Sequence, residues 1–187
     1  MNIDSLPRFR LAEFPTPIHY LEALSKAYDG PAIYIKRDDL TSLGMGGNKT
    51  RKLEFLIGEA LALGKDTLVT AGGLQSNHCR LTAAAACKAG LACHLVLNGT
   101  RPETPNGNLL LDALFGATVH YCDRKDRDMR LDQVAAELAA RGKRPYVIPV
   151  GGSNGTGSVG YVQAMLELDT QLAQMQIKPD AIVFATS

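Results

Sequence analysis

Short runs rich in β-branched and apolar residues alternate with longer stretches of helical period along this chain, and that alternation restricts its fold more than any other feature. The predicted strands are 32–36, 67–71, 94–97, 118–121, 146–148 and 181–185. After the loop from Leu43 to Asn48, apolar residues Leu53, Leu56, Ile57, Ala60 and Leu61 recur at i, i+3, i+4, i+7 and i+8, and Gly64 is placed to end that helix. An alanine-rich helix is expected from about Asn77 to Lys88, stopping at Gly90. Others are expected over 108–115, over about 126–140, and beyond a Gly/Ser-rich segment at 150–160 as far as about Gln174. Strands this far apart cannot be joined as hairpins and need crossover connections. The expected class is therefore α/β, with parallel sheets covered by helices on both faces. Ligands of such sheets gather in the loops beyond the carboxyl ends of the strands, here 44–48, 72–78 and 151–158.

Charge narrows the partners. The 20 lysines and arginines nearly balance 19 acidic residues, which leaves no field to attract nucleic acid or an anionic membrane surface and favours a small-molecule partner. The opening MNIDSLPRFR lacks the apolar centre of a signal peptide, and no stretch is long and apolar enough to span a bilayer, so the expected location is the cytoplasm. Cys79, Cys87, Cys93 and Cys122 form no CxxC pair and read as structural thiols. The histidines are scattered without ligand spacing, so no metal is expected.

The run Gly46-Gly47-Asn48-Lys49-Thr50-Arg51-Lys52 sets a lysine at a helix start, with Asn48 as its expected N-cap. The positive end of the helix dipole and the nearby Arg51 and Lys52 all disfavour an ammonium there, and a neutral amine is what Schiff-base chemistry needs. A plain solvated first-turn lysine is the competing reading. A nucleoside-triphosphate loop is not, because Leu43 and Asn48 stand where that pattern requires glycine.

The second loop, Gly72-Gly73-Leu74-Gln75-Ser76-Asn77-His78, runs straight into a helix, whose first N–H groups could hold the carboxylate of an amino acid. Ser76 or Asn77 could equally serve only as its cap. A hydrolase built on Ser76 or Cys79 with His78 as base lacks the Gly-x-Ser-x-Gly elbow, and neighbours at a helix start face apart. The third loop matches Gly-x-Gly-x-x-Gly at Gly155, Gly157 and Gly160. A dinucleotide fingerprint belongs to the first strand of its unit and needs an acid after the next strand, whereas Asp180 precedes that strand.

Taken together, Ile35-Lys36-Arg37-Asp38-Asp39, the run from Gly46 to Phe55, Gln75-Ser76-Asn77-His78 and the run from Arg144 to Ser153 resemble the D-cysteine desulfhydrase / 1-aminocyclopropane-1-carboxylate deaminase family over almost the whole chain. The resemblance implies a pyridoxal 5'-phosphate enzyme of tryptophan-synthase-β-like fold (fold type II). It implies a division into 1–50 as the start of a large domain, 51–158 as a small α/β domain, and 159–187 as the return into the large domain. Lys49 matches the family's Schiff-base lysine and Ser76 its active-site serine. Asn77 matches a residue beside the cofactor ring, the backbone of Ser76 to His78 the substrate-carboxylate site, and Lys52 could reach the cofactor phosphate. The expected substrate is a small amino acid, D-cysteine first, giving pyruvate, sulfide and ammonia. The cyclopropane deaminase or a related sulfo-lyase is the alternative, and the resemblance also implies a homodimer. Family members are longer, so the C-terminal part of the large domain, with its phosphate cup after the 181–185 strand, is expected to be missing, and Gly151 to Ser158 is expected to be the crossing between domains. A truncated, non-catalytic fragment and a nucleotide-binding module on the Gly155 loop are the readings of other classes.

Overall fold

A computed structural model describes residues 3–184. In chain order the elements are β1 (Ile18–Tyr20), α1 (Glu22–Ala27), β2 (Tyr34–Lys36), α2 (Lys49–Ala62), β3 (Thr67–Gly73), α3 (Asn77–Ala89), β4 (Ala92–Asn98), α4 (Gly107–Leu114), β5 (Thr118–Cys122), α5 (Arg127–Ala140), β6 (Pro145–Val147) and α6 (Gly155–Gln174), with short 3-10 turns between some of them.

Four strands form a parallel sheet in the order β5-β4-β3-β6. The chain steps outward from β3 to β5 through α3 and α4, and α5 then carries it back to the other side of β3. Period-two alternation gives each face its own core. Leu68, Leu95 and Leu97 join Leu53, Leu56, Ile57 and Leu81 of α2 and α3, while Val69, Ala71 and Val96 meet Leu131, Val134 and Leu138 of α5. Helices on both faces of a parallel sheet are what the alternation predicted. The reversal of strand order opens a crevice between the carboxyl ends of β3 and β6, the place where open α/β sheets bind ligands.

Several expectations need correction. The 32–36 run does not join the parallel sheet: its residues 34–36 pair antiparallel with Ile18–Tyr20 in a separate two-stranded sheet. Three residues after a Pro-containing segment carry no readable period, and β1 is defined by its partner, with the rings of Tyr20 and Tyr34 5.2 Å apart. The six-residue α1 was likewise not anticipated. The 181–185 run is not a strand over 181–184, where Val183 is 94% and Phe184 75% exposed, and Ala185 lies outside the described residues. A strand requires a hydrogen-bonded neighbour, and among the described residues none reaches this segment. Finally, α6 starts inside the glycine-rich segment, because Asn154 caps it by accepting from the N–H of Gly157 at 2.8 Å.

Those glycines have a packing role. A Cβ on Gly157 would lie 2.1 Å from the carbonyl oxygen of Gly152, and one on Gly160 would lie 2.2 Å from that of Arg51. Gly160 thus lets α6 cross α2 at backbone contact, close to Lys49 along the helix.

Asp112 of α4 is buried, and neither carboxylate oxygen has a partner among the described residues. Burial pushes its pKa up to about 7, against the opposing charge of Arg80. Its folded pKa therefore lies above its unfolded value, so the native state holds a proton that the unfolded chain releases. Stability is expected to fall as pH rises from about 4 to about 7 and to level off above the folded value, where both states are ionised. Asp112→Asn should flatten that slope in urea titrations across this range, and an unchanged slope would remove Asp112 as its source.

Candidate active site

At the end of β3, Gly72 makes room for the turn: a Cβ there would lie 2.7 Å from both Ser76 Oγ and Cys79 Sγ. Ser76 is the cap of α3, its Oγ accepting from the N–H of Cys79 at 3.2 Å, which decides between the two capping candidates. Asn77 is exposed, and its Oδ1 accepts from Asn108 Nδ2 at 3.0 Å. Asn108 also donates through Nδ2 to Gln75 O and through its backbone N–H to Gln75 Oε1, both at 2.8 Å, tying this loop to α4. The N–H groups of Asn77 and His78 donate to no acceptor among the described residues and are free for an anion.

The loop before Lys49 turns through Ser42, Gly44, Met45, Gly46 and Gly47, all at positive φ. Gly46 is obligatory, since a Cβ would lie 1.9 Å from the carbonyl oxygen of Asp39. Arg80 Nη2 donates to Gly46 O at 2.7 Å, and Thr41 Oγ1 accepts from the N–H of Gly47 at 2.9 Å. Asn48 is not the expected side-chain cap. Its backbone is already helical (φ −61, ψ −22), and its Nδ2 donates instead to the hydroxyl of Tyr161 at 2.7 Å.

Arg51 is not a cation beside Lys49 in any effective sense. Two residues on from Lys49 it faces away, 3% exposed, and its Nε and Nη2 fork onto Asp38 at 2.8 Å each while Nη1 and Nη2 reach Glu167 at 3.0 Å each. Its guanidinium carbon also stands 4.4 Å from the ring centre of Phe14. Burial alone would lower its pKa, but the bonds to Asp38 and Glu167 outweigh this and hold it above the ordinary value.

Lys52 is the neighbour that counts. It lies on the same side as Lys49 and donates to Gly151 O at 3.2 Å and to Ser153 Oγ at 3.0 Å. Burial, then the charge of Lys49, lowers its pKa. Lys49 Nζ is 3.6 Å from the Cβ position of Gly151 and has no hydrogen-bond partner among the described residues. His78 is buried, with Cε1 3.6 Å from the Cβ position of Gly152 and Nε2 2.9 Å from Thr70 Oγ1. Burial, then the charges of Lys49 and Lys52, pushes its pKa down to about 3. Lys49, Lys52 and His78 therefore converge on Gly151 and Gly152, whose φ values of 68° and 62° suit glycine. Ser76 and Asn77 begin the helix that carries His78, but hydrogen-bond to Cys79 and Asn108 rather than to this cluster.

This donor set fits an anionic aldehyde such as pyridoxal phosphate. An unpaired lysine amine is available for a carbonyl carbon, a second lysine for a charged group, and free N–H groups at a helix start for a carboxylate. The partnerless buried Nδ1 of His78 marks the same crevice as polar. The other chemistries fare worse. The Cys79 thiol is pushed up to about 12 by burial, and His78 is bonded to Thr70 rather than to Ser76. Gly155, Gly157 and Gly160 lie within α6 and form no phosphate loop. Gly151 and Gly152 lie in the 151–158 loop expected to gather ligands, whereas Thr70, Thr41 and Arg80 were not foreseen as parts of the site.

Among the described residues no helix is long and apolar enough to cross a membrane, and no group of three or more metal-ligating side chains occurs.

Residues 9–187 match the family described as pyridoxal-phosphate dependent enzyme. The chain is 52% identical over 176 residues to a D-cysteine desulfhydrase of Klebsiella pneumoniae subsp. pneumoniae, covering 91% of this chain and 53% of that protein. It is 50% identical over 180 residues to a D-cysteine desulfhydrase of Salmonella choleraesuis, covering 93% of this chain and 55% of that protein. The chain thus spans about half the length of the curated relatives it matches. Among solved structures, one described as an ACC deaminase homologue superposes with TM-score 0.85 and 45% identity, covering 90% of this chain and 52% of that one. A diaminopropionate ammonia lyase of Escherichia coli, in its apo form, shares the fold at TM-score 0.68 and 18% identity, covering 89% of this chain and 49% of that one.

Proposed function

The chain belongs to the pyridoxal-phosphate dependent enzyme family, and from that premise we propose that it supplies the lysine-bearing half of a lyase acting on a small amino acid, D-cysteine in the first place. The observation that carries this is the convergence of Lys49, Lys52 and His78 on Gly151 and Gly152 at the switch point of the sheet. When bound, pyridoxal phosphate supplies an electron sink for the substrate carbon. Lys49 attaches the carbonyl and, once released, moves a proton at the substrate's α or β carbon. Lys52 holds the anionic group, whose negative charge favours the ammonium that burial and Lys49 disfavour. The N–H groups of Asn77 and His78 take the substrate carboxylate, the Ser76 hydroxyl stands beside them, and the Asn77 amide flanks the cofactor ring. Loss of the β-thiol from D-cysteine followed by hydrolysis gives pyruvate, sulfide and ammonia.

The division at 1–50, 51–158 and 159–187 belongs to the same proposal. It is supported by the position of all four parallel strands within 51–158. A homodimer in the cytoplasm completes it.

Joining this chain to the second half of the Klebsiella desulfhydrase provides the test. The chimera should release sulfide and pyruvate from D-cysteine faster than it opens the cyclopropane amino acid. A chimera that binds cofactor but acts only on the cyclopropane substrate would move the assignment to the deaminase. One that binds cofactor and turns over neither substrate would refute the lyase reading.

Lys52→Met is expected to weaken pyridoxal phosphate binding about tenfold or more, as befits a lost hydrogen bond to a charged group worth about 1.5–3 kcal/mol. Fluorescence titration checks it, and binding of phosphate-free pyridoxal should change far less.

A further inference from the structure

The side-chain amides of Gln75, Asn77 and Asn108 meet where the loop after β3 touches the start of α4, and their partners decide which end of each amide faces which. The backbone N–H of Asn108 can only donate and the carbonyl of Asn106 can only accept. Gln75 therefore turns Oε1 to the first, at 2.8 Å, and Nε2 to the second, at 3.3 Å, with Asn106 Oδ1 3.1 Å from the same nitrogen. That contact satisfies a first-turn N–H of α4, whose N-cap Asn106 makes no side-chain cap bond. Two glycines admit the loop. A Cβ on Gly107, at φ 52°, would lie 2.5 Å from Gln75 Oε1, and one on Gly99, at φ 140°, would lie 2.7 Å from the Leu74 side chain.

The same constraint passes on to Asn77. The carbonyl of Gln75 only accepts, so the Asn108 atom 2.8 Å from it is the amide nitrogen Nδ2. That nitrogen also stands 3.0 Å from the Asn77 side chain, which must answer with its oxygen, Oδ1, since the opposite orientation would set NH2 against NH2. Both protons of the Asn77 amide then lack an acceptor among the described residues. They join the backbone N–H groups of Asn77 and His78, which also donate to no acceptor among the described residues. We propose that Asn108 is a positioning residue that fixes the Asn77 amide with its N–H groups free, so that the start of α3 meets a ligand with donors alone. Such a set takes acceptor oxygens and rejects a group that can only donate, such as the ammonium end of an amino acid. The inference deepens the reading of Asn77 as the residue that flanks the cofactor ring and rests on it.

A first measurement needs no cofactor. Proton-exchange NMR of the side-chain amides should show the Asn77 NH2 exchanging with water as freely as an exposed amide and the Asn108 NH2 slowed. Asn108→Asp puts an acceptor-only carboxylate in the same place and should turn Asn77 round, slowing its NH2 instead. A slowed Asn77 NH2 in wild type, or one that Asn108→Asp leaves unchanged, would overturn the proposal. The second measurement is fluorescence titration with pyridoxal phosphate. Asn108→Ala should weaken binding about fivefold, the worth of one hydrogen bond, and by about twofold or less when Asn77 is already alanine. A merely structural role would cost the same in both backgrounds, and that result would overturn the proposal. A wild-type chain with the stated amide pattern that never binds pyridoxal phosphate would refute the functional reading and the positioning role with it. Reversed amides alongside tight binding would remove Asn108 and leave that reading standing.

Discussion

Lys49→Ala is expected to abolish the visible absorbance that pyridoxal phosphate acquires on attachment to a lysine, and to lower turnover in the chimera by on the order of 10²–10⁴ from lost proton transfer alone. The reasoning is local. Lys49 opens α2, presents Nζ at Gly151 and lacks a partner among the described residues, whereas Lys52, the other lysine at the crevice, is engaged by Gly151 O and Ser153 Oγ. Pyridoxal phosphate could still rest on Lys52 and the free N–H groups in the variant, so binding should weaken without vanishing. That separates loss of the covalent bond from loss of the site. Spectral titration and reduction of the adduct, followed by peptide mapping, check it. A band that survives in Lys49→Ala, or a reduced adduct mapped to Lys52, would reverse the two assignments.

Arg51→Met is expected to destabilise the fold by about 3–5 kcal/mol, the cost of removing one partner from a buried ion cluster. Arg51 joins Asp38, Glu167 and Thr16 and lies over the ring of Phe14, so one guanidinium ties the N-terminal segment to α2 and α6. Its removal leaves the Asp38 side chain hydrogen-bonded only to Thr16 among the described residues, while Glu167 keeps Lys36. Methionine preserves much of the volume, so the loss reports mainly the stranded charges. Arg51→Lys should recover only part of it, because an ammonium cannot satisfy two carboxylates with a planar fork. The same cluster sets an acid limit. Burial would raise the pKa of Glu167, but Arg51 and Lys36 outweigh that and lower it, so its contribution is present above the unfolded value and is lost as pH falls through the folded one. Urea unfolding of wild type and variants gives both numbers. A loss under about 1 kcal/mol in Arg51→Met would mean that the cluster is no more than a surface ion pair.

Arg51 and Lys52 illustrate how far reading the chain could go. Both sit within three residues of Lys49 and both were expected to press on it electrostatically. Helical spacing alone turns Arg51 away from Lys49, but what it would meet there depends on Glu167, 116 residues later. Asn48 was a reasonable cap by residue type, yet Tyr161, 113 residues away, receives its amide. Ser76 did become a cap, because a cap is a contact across three residues and needs no tertiary partner. The 181–185 run carried a strong strand composition and still forms no strand over 181–184, since pairing is a property of two segments.

By itself the sequence determined the α/β alternation, the helix that opens at Lys49, the helix that opens after Ser76 and the family, because hydrophobic period and contiguous motifs act over a few residues. Only the tertiary structure decided which groups share the crevice. The strand order β5-β4-β3-β6 returns the chain beside β3, and that return brings Gly151, 99 residues beyond Lys52, within hydrogen-bonding distance of it. The same return places the carbonyl of Ile148 against Thr70, and through Thr70 it orients His78. The physical reason is that these contacts are set by the order of strands in the sheet, which no local period encodes.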